Sequence, residues 1–492
     1  MVANLFFGRL IFVFSFGEHL YEPLRLRGFF MELPKFVLSQ KPIYIRIGED
    51  IDCLQLFKNI EQEFETCFIF ESLGEETTFS RYSIIGFDPE HIISARENNL
   101  VIDSNVYPVE NPYIALQQIM PQQTMSRVYA GGLIGYLSYE AVNYFEPSIH
   151  VKIHEKFDQF MFGFYTDGFV FDKLTNELFY FYYNKNRSKI AKELLQKHNP
   201  LRTRLQIPPR RESFQVKFIS NSLTKAKHAE IVEKVKEEIK TGNTFQCEVG
   251  FKSAYNITGD TIQIYEKLRD INPSPFMYYL KFGDKKIIGA SPELLLSLRD
   301  GELITRPLAG TIKRGRTARE DQQLARELLR DPKERAEHKM IVDLHRNDMG
   351  KIARFGTVKV RELMTMKRLS HVQHISSEVS GIINAKETMF SALANNFPMG
   401  TVSGTPKIET MRIIDMNESE ARGPYGGGVG HFGFNGDCTF ALAIRTLFIA
   451  NSYAYTQTSS GIVYDSDAEK EYEEVQRKSE AMRRVLLSLR SQ

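Results

Sequence analysis

Apolar positions recur at helical spacing most clearly between Asp331 and Gly350 (DPKERAEHKMIVDLHRNDMG). Asp331 is a candidate N-cap, Pro332 suits the first helical position, and Glu334 stands where it would close a capping box. Met340, Ile341 and Leu344 form the apolar stripe, with Gly350 as the stop. Glu337 precedes those three at helical intervals and projects from the same face. A carboxylate there is costly unless a cation or hydrogen bonds satisfy it. Taken alone it reads more readily as half of a structural ion pair than as a ligand.

Other periodic segments predict helices over Ile190–Lys197, over Lys225–Lys240, within 318–349, and from about Asp467 to Leu489. In the last, Tyr472, Val475, Met482, Val485 and Leu489 make the stripe, which leaves Glu474 facing solvent with Lys478 as its i+4 partner. Residues 42–190 carry short β-branched and aromatic runs: Cys67–Phe70, Arg81–Ile85, Ile92–Ser94, Val101–Ile102, Phe169–Phe171 and Phe179–Tyr183. Beyond 214, strand patterns cover Thr244–Val249, Met277–Phe282, Lys286–Gly289, Leu294–Leu298, His371–Val379, Thr439–Ile449 and Ala454–Thr458. Residues 198–214, rich in proline and arginine, read as a connector. Strands and helices mix without regular βαβ alternation, which predicts an α+β fold.

Bulk composition narrows the function classes. The 492 residues are 42% hydrophobic and 12% aromatic, ample for a sizeable core, and the net charge is +2 with both signs interspersed. This pattern excludes an electrostatic nucleic-acid binder, and no basic run marks a membrane-surface protein. Cys53, Cys67, Cys247 and Cys438 are far apart, without a CxxC pair. They point to a reducing, cytoplasmic compartment, and to neither a disulfide framework nor a zinc site. Leu5–Phe16 is apolar but broken by Arg9 and too short to span a bilayer as a helix. Residues 1–30 therefore read as an extension outside the core, with an ordinary domain opening at Met31.

Two apparent motifs carry little. Gly428–Gly433 matches GxGxxG, but Asn435-Gly436-Asp437 and a strand-like run follow it, which predicts a hairpin and not a dinucleotide turn. His371 and His374 fall on opposite faces of a strand, so a shared metal is not expected. His374, alternating with Val372, Ser376 and Glu378, reads by itself as a satisfied sheet histidine.

The ordered motifs GGLIGYLSYE (131–140), TGNTFQ (241–246), NPSPFMYYL (272–280), GASPELL (289–295), TRPLAGTIKRG (305–315), AEHKMIVDLHRND (336–348), MGTVSGTPK (399–407), GPYGGGVG (423–430) and GIVYDSDAEKEYEE (461–474) resemble the chorismate-using enzymes, within them the anthranilate synthase component I branch. The resemblance spans about Phe68 to Lys478. It implies the large fold of that family, two interlocked β-sheets flanked by helices, with a tryptophan-binding part within 31–200 and a chorismate-binding catalytic region over 215–492.

It also implies site residues. Glu337 and Glu474 would hold one Mg²⁺ that grips the ring carboxylate of chorismate, overriding the solvent-facing reading of Glu474; oxygen-only ligation suits that ion. Tyr425 and Arg445 would hold the enolpyruvyl carboxylate. Gly310, Thr311 and a 459–461 turn (Ser459, Ser460, Gly461) would frame the ring. Glu293 is the implied general acid for the departing 4-hydroxyl, His374 a proton acceptor or orienter in pyruvate elimination, and Thr401 a hydroxyl near the ring. Glu71-Ser72 and Pro275-Phe276-Met277 resemble the tryptophan feedback site.

Two positions separate the sub-families. Water-using relatives carry a lysine base where this chain has Gln246, and aminodeoxychorismate-forming relatives carry a lysine where it has Ala309. The implied reaction is direct attack of ammonia at C2, giving anthranilate and pyruvate, the first step of tryptophan biosynthesis. Ammonia is expected from a separate glutamine amidotransferase subunit (component II). The alternatives are aminodeoxychorismate synthase component I and a catalytically inactive tryptophan-binding subunit. Three departures bear on substrate affinity: Ser459 where the family has glycine, Arg477 where it commonly has asparagine, and Glu248 in a normally apolar strand.

Overall fold

The computed structural model describes residues 32–39, 41–73, 81–121, 123–126, 128–197, 214–368 and 372–490. The 1–30 extension, almost all of the 198–214 connector and His371 lie outside them.

Asp331 accepts hydrogen bonds from Lys333 N and Glu334 N at 2.8 and 3.1 Å, and a helix follows over Pro332–Ile352. The capping box does not close, because Asp331 N already donates to Glu327 O and Leu328 O at the end of the preceding helix, Ala318–Arg330. The 318–349 block is thus two helices sharing Asp331 as a joint. Glu334 turns instead toward Gly310, where its Oε2 lies 2.8 Å from the place a Cβ would occupy. The helix also runs past Gly350, since burial of Met349 and Ile352 outweighs the roughly 1 kcal/mol cost of a helical glycine.

Among the described residues the strands form two twelve-stranded sheets. In the first, Thr66–Glu71 from the N-terminal half pairs with Phe276–Phe282 from the C-terminal half, Glu71 opposite Met277. In the second, Gly132–Leu137 pairs with Gly428–Gly433. Each sheet draws on both halves of the chain, which is the interlocking the resemblance implies. Aromatic residues of both halves fill the largest core cluster; Phe390 stacks on Phe432 at 4.2 Å between centroids. Gly428–Gly433 and Cys438–Leu442 make the predicted hairpin, with Gly436 at φ +85.

The run Thr439–Ile449 is not one strand. Cys438–Leu442 belongs to the second sheet and Thr446–Ala450 to the first. The chain crosses between sheets at 443–445, and Arg445 takes φ +54 there, a conformation rarely adopted by side-chain-bearing residues and one that clusters at functional sites. Both strands are apolar, so hydropathy could not reveal the break. Gln246–Thr258 is likewise longer than the predicted Thr244–Val249 and pairs over Cys247–Asn256 with Tyr453–Ile462.

Candidate active site

Three elements bring the predicted carboxylates together: the helix Pro332–Ile352, the strand pair Gln246–Thr258 and Tyr453–Ile462, and the terminal helix Ala468–Leu489, capped by Asp467. Gln246 Nε2 donates to Glu337 Oε1 at 3.2 Å. Burial pushes the Glu337 carboxyl up to about 7, and the nearby charges of Glu334, Glu248 and Glu474 add to the rise. Glu474, with 41% of its side chain exposed, pairs with Lys478 Nζ at 2.9 Å. Burial opposes its charged form, but Lys478 outweighs this and holds the carboxyl below its ordinary value. The i+4 pair is present as periodicity predicts, but Glu474 is only partly exposed and lies near enough to Glu337 to act on its charge.

Residues 459–461 are not a turn. They end a strand, with Ser459 opposite Gly250 and Gly461 opposite Glu248. Gly250 is required there, since a Cβ would strike Thr458 O. Ser459 uses the side chain that sets it apart from the family's glycine: Tyr425 OH donates to Ser459 Oγ at 2.9 Å, and Ser459 Oγ donates to Glu248 Oε2 at 2.7 Å. Arg477 turns away and pairs loosely with Glu473 at 3.8 Å.

Glu293 is 4% exposed. Burial raises its carboxyl to about 8, against the lowering effect of two hydrogen bonds to Oε1, from Leu308 N at 3.2 Å and Thr401 Oγ1 at 3.1 Å. The acid is therefore protonated at neutral pH, the form a proton donor needs. His374 lies with Nδ1 3.1 Å from Gly310 O and 3.0 Å from Thr311 Oγ1. Burial holds the imidazole down at about 4, so it is neutral at physiological pH. Gly310 takes φ +71 and sits under the Glu334 carboxylate.

Arg445 Nη1 donates to Lys478 O at 2.9 Å, and its guanidinium feels the charges of Tyr425, Glu474 and Glu293. The predicted catalytic, ring-framing and metal residues thus form one electrostatic neighbourhood. Sequence reasoning missed Lys478 as its central cation and Arg422 as its scaffold. Arg422 is buried, pairs with Glu418 at 2.7 Å, and donates to Val402 O and Glu248 O at 2.6 and 2.9 Å. No local pattern marks the further partners of this arginine, the main-chain oxygens of Val402 and Glu248, which are distant in sequence.

Among the described residues no three His, Cys, Asp or Glu side chains converge as a ready metal cage. Glu337 and Glu474 offer two carboxylates, and Glu334 and Glu471 add acidity nearby. That donor set fits Mg²⁺, which binds through one or two carboxylates and takes the rest of its shell from water and substrate.

A second cavity holds none of these carboxylates. Phe70, Glu71, Ser72, Tyr129, Pro275, Phe276 and Met277 are among its walls, so all five residues of the predicted tryptophan site meet there. Among the described residues the Ser72 and Tyr129 hydroxyls are buried without a partner. Among the described residues no helix is long and apolar enough to cross a membrane.

Residues 65–484 match the model of a chorismate binding enzyme family. The chain is 48% identical over 458 residues to anthranilate synthase component 1 of Leptospira biflexa, covering 92% of this chain and 98% of that one. It is 40% identical over 432 residues to the protein of the same name from Methanothermobacter thermautotrophicus, covering 87% and 90%. Its fold is similar to the crystal structure of anthranilate synthase component I from Streptococcus pneumoniae, with a TM-score of 0.72, 32% identity, and coverage of 84% and 94%. At 17% identity and a TM-score of 0.69, the menaquinone-specific isochorismate synthase of Escherichia coli shares the fold, covering 93% and 96%.

Proposed function

We infer that this chain, which belongs to the chorismate-binding enzyme family, makes anthranilate and pyruvate from chorismate and ammonia. The observation that carries this reading is the pairing of Glu293, a buried carboxyl protonated at neutral pH, with Gln246, an amide where a water-activating relative would have a base. With no lysine to deprotonate water, a nitrogen nucleophile is favoured. Its lone pair forms the bond to C2, the ring double bonds shift, and the C4–O bond breaks as Glu293 gives its proton to the departing oxygen. Tyr425 and Arg445 hold the enolpyruvyl carboxylate, a task suited to a guanidinium in a dry site. His374, neutral and steadied by Gly310 O, then takes the ring proton as pyruvate leaves. Mg²⁺ at Glu337 and Glu474 would neutralise and anchor the ring carboxylate.

Ammonia from a glutamine amidotransferase partner is supported by the relatives' designation as component 1, and a cytoplasmic setting by four cysteines, all unpaired and buried. Purified chain with chorismate, Mg²⁺ and ammonium should develop anthranilate fluorescence, and glutamine should not replace ammonium. Consumption of chorismate to another product would move the assignment to a sister enzyme, and no consumption would leave the inactive-subunit reading.

Tryptophan is the ligand assigned to the second cavity: aromatic walls suit an indole, and the unpartnered Ser72 and Tyr129 hydroxyls suit its polar end. Added tryptophan should suppress anthranilate formation. Ser72→Leu, which fills the cavity, should raise the inhibitory concentration by roughly tenfold or more while leaving uninhibited turnover unchanged, given the cost of burying an unmatched polar group. Equal inhibition of both proteins would place the ligand elsewhere.

A further inference from the structure

Glu248 has no place in the chemistry above, yet it is 5% exposed in the midst of it. It stands two residues from Gln246 on the same face of the strand Gln246–Thr258. Its Oε2 accepts one hydrogen bond, from Ser459 Oγ at 2.7 Å. Its Oε1 lies 2.7 Å from the point where Gly461 would carry a Cβ, and Gln246 Nε2 crowds the same point. Only glycine leaves that space open. Around the carboxylate stand Lys478 and Glu474 on the terminal helix, Glu337 on the helix Pro332–Ile352, Glu293, and Arg422. Neither cation pairs with it. Lys478 Nζ is committed to Glu474 Oε1 and to Ser459 O at 2.8 Å, and Arg422 reaches only the Glu248 main-chain oxygen. Among the described residues the Glu248 carboxylate has no ion-pair partner, a costly state for a buried charge.

We propose that Glu248, with Gln246 beside it, forms the subsite that binds ammonium and accepts its proton. The inference rests on the reading of the reaction given above. Lys478 and Arg422 temper the Glu248 charge without pairing with it; ammonium supplies a directly paired cation, and its N–H groups donate to the carboxylate. One proton passes from NH₄⁺ to Glu248, leaving neutral NH₃ and a carboxylic acid; the freed lone pair attacks C2, while Glu293 separately protonates the departing hydroxyl.

The test is steady-state kinetics of the full chain with Mg²⁺, varying ammonium and chorismate in turn. Near neutrality Glu248→Gln should raise the KM for ammonium by roughly tenfold or more and move the KM for chorismate by less than about twofold. The ammonium defect should narrow in alkaline buffer, where free NH₃ needs no proton acceptor; a merely structural role predicts no such convergence. Should Glu248→Gln not fold, Glu248→Asp keeps the charge one methylene short and should show the same split with smaller amplitude. An unchanged ammonium KM, or a chorismate KM rising equally as Tyr425 loses its anchor through Ser459, would overturn the proposal and leave the anthranilate reading intact. Wild-type protein that makes no anthranilate would overturn both.

Discussion

Replacing Glu293 by Gln lowers kcat/KM for chorismate by about 10²–10⁴-fold, the span expected of a lost general acid, or roughly 3–5 kcal/mol of transition-state stabilisation. The amide keeps the shape of the acid and its oxygen can still accept from Leu308 N and Thr401 Oγ1, so the fold should survive and the loss should fall on chemistry. The pH profile gives the sharper reading. Burial holds the Glu293 carboxyl at about 8. Raised above its ordinary value, it keeps its proton below that pH and loses it above, so wild-type activity should fall on the alkaline side of 8 and the Glu293→Gln profile should lack that limb. A variant within about tenfold of wild type, or one that retains the limb, would assign the proton to another group.

The structure explains why some of this site was legible in the sequence and some was not. Glu337 could be singled out because its helix is long, capped at Asp331 and periodic, so an inward-facing carboxylate stands out against its apolar stripe. Glu474 could not, because half of its side chain lies at the surface beside an i+4 lysine, the ordinary pattern of a solvated helix face. Only the resemblance assigned it. His374 illustrates the same limit: alternation places it on a strand, but its neutral state comes from burial, which outweighs the opposing hydrogen bond of Gly310 O on another strand. The break at Arg445 was invisible because an apolar strand in one sheet runs directly into an apolar strand in the other. The 459–461 turn came from the resemblance alone; here the segment ends a strand, and Gly250 and Gly461 serve close strand approach and open space within a ladder. Periodicity recovers elements that a single face defines. It does not recover a site assembled from the ends of many.

The second large effect is expected at the acidic neighbourhood itself. Chelation with EDTA, or Glu337→Gln in the presence of Mg²⁺, should each cut activity by about a hundredfold or more, since the anchor for the ring carboxylate is lost. Calorimetric titration of Mg²⁺ into the wild type should give a binding signal that Glu337→Gln and Glu474→Gln lack, independent of turnover. The sign of the pH effect follows from the same carboxylates. Without a cation, burial and the charges of Glu334, Glu248 and Glu474 hold Glu337 at about 7. Below that pH it is protonated and offers no charge to a metal; above it, ionised carboxylates repel one another until a cation arrives. Binding should therefore release a proton near neutrality, and raising Mg²⁺ should move the acid limb of the activity profile to lower pH. The alkaline limb, which belongs to Glu293, should stay where it is. If both limbs moved together, or if Mg²⁺ bound as tightly to Glu337→Gln as to the wild type, the ion would have to be held by other groups, and the crowding of Glu334, Glu337, Glu471 and Glu474 would need a different cation to account for it.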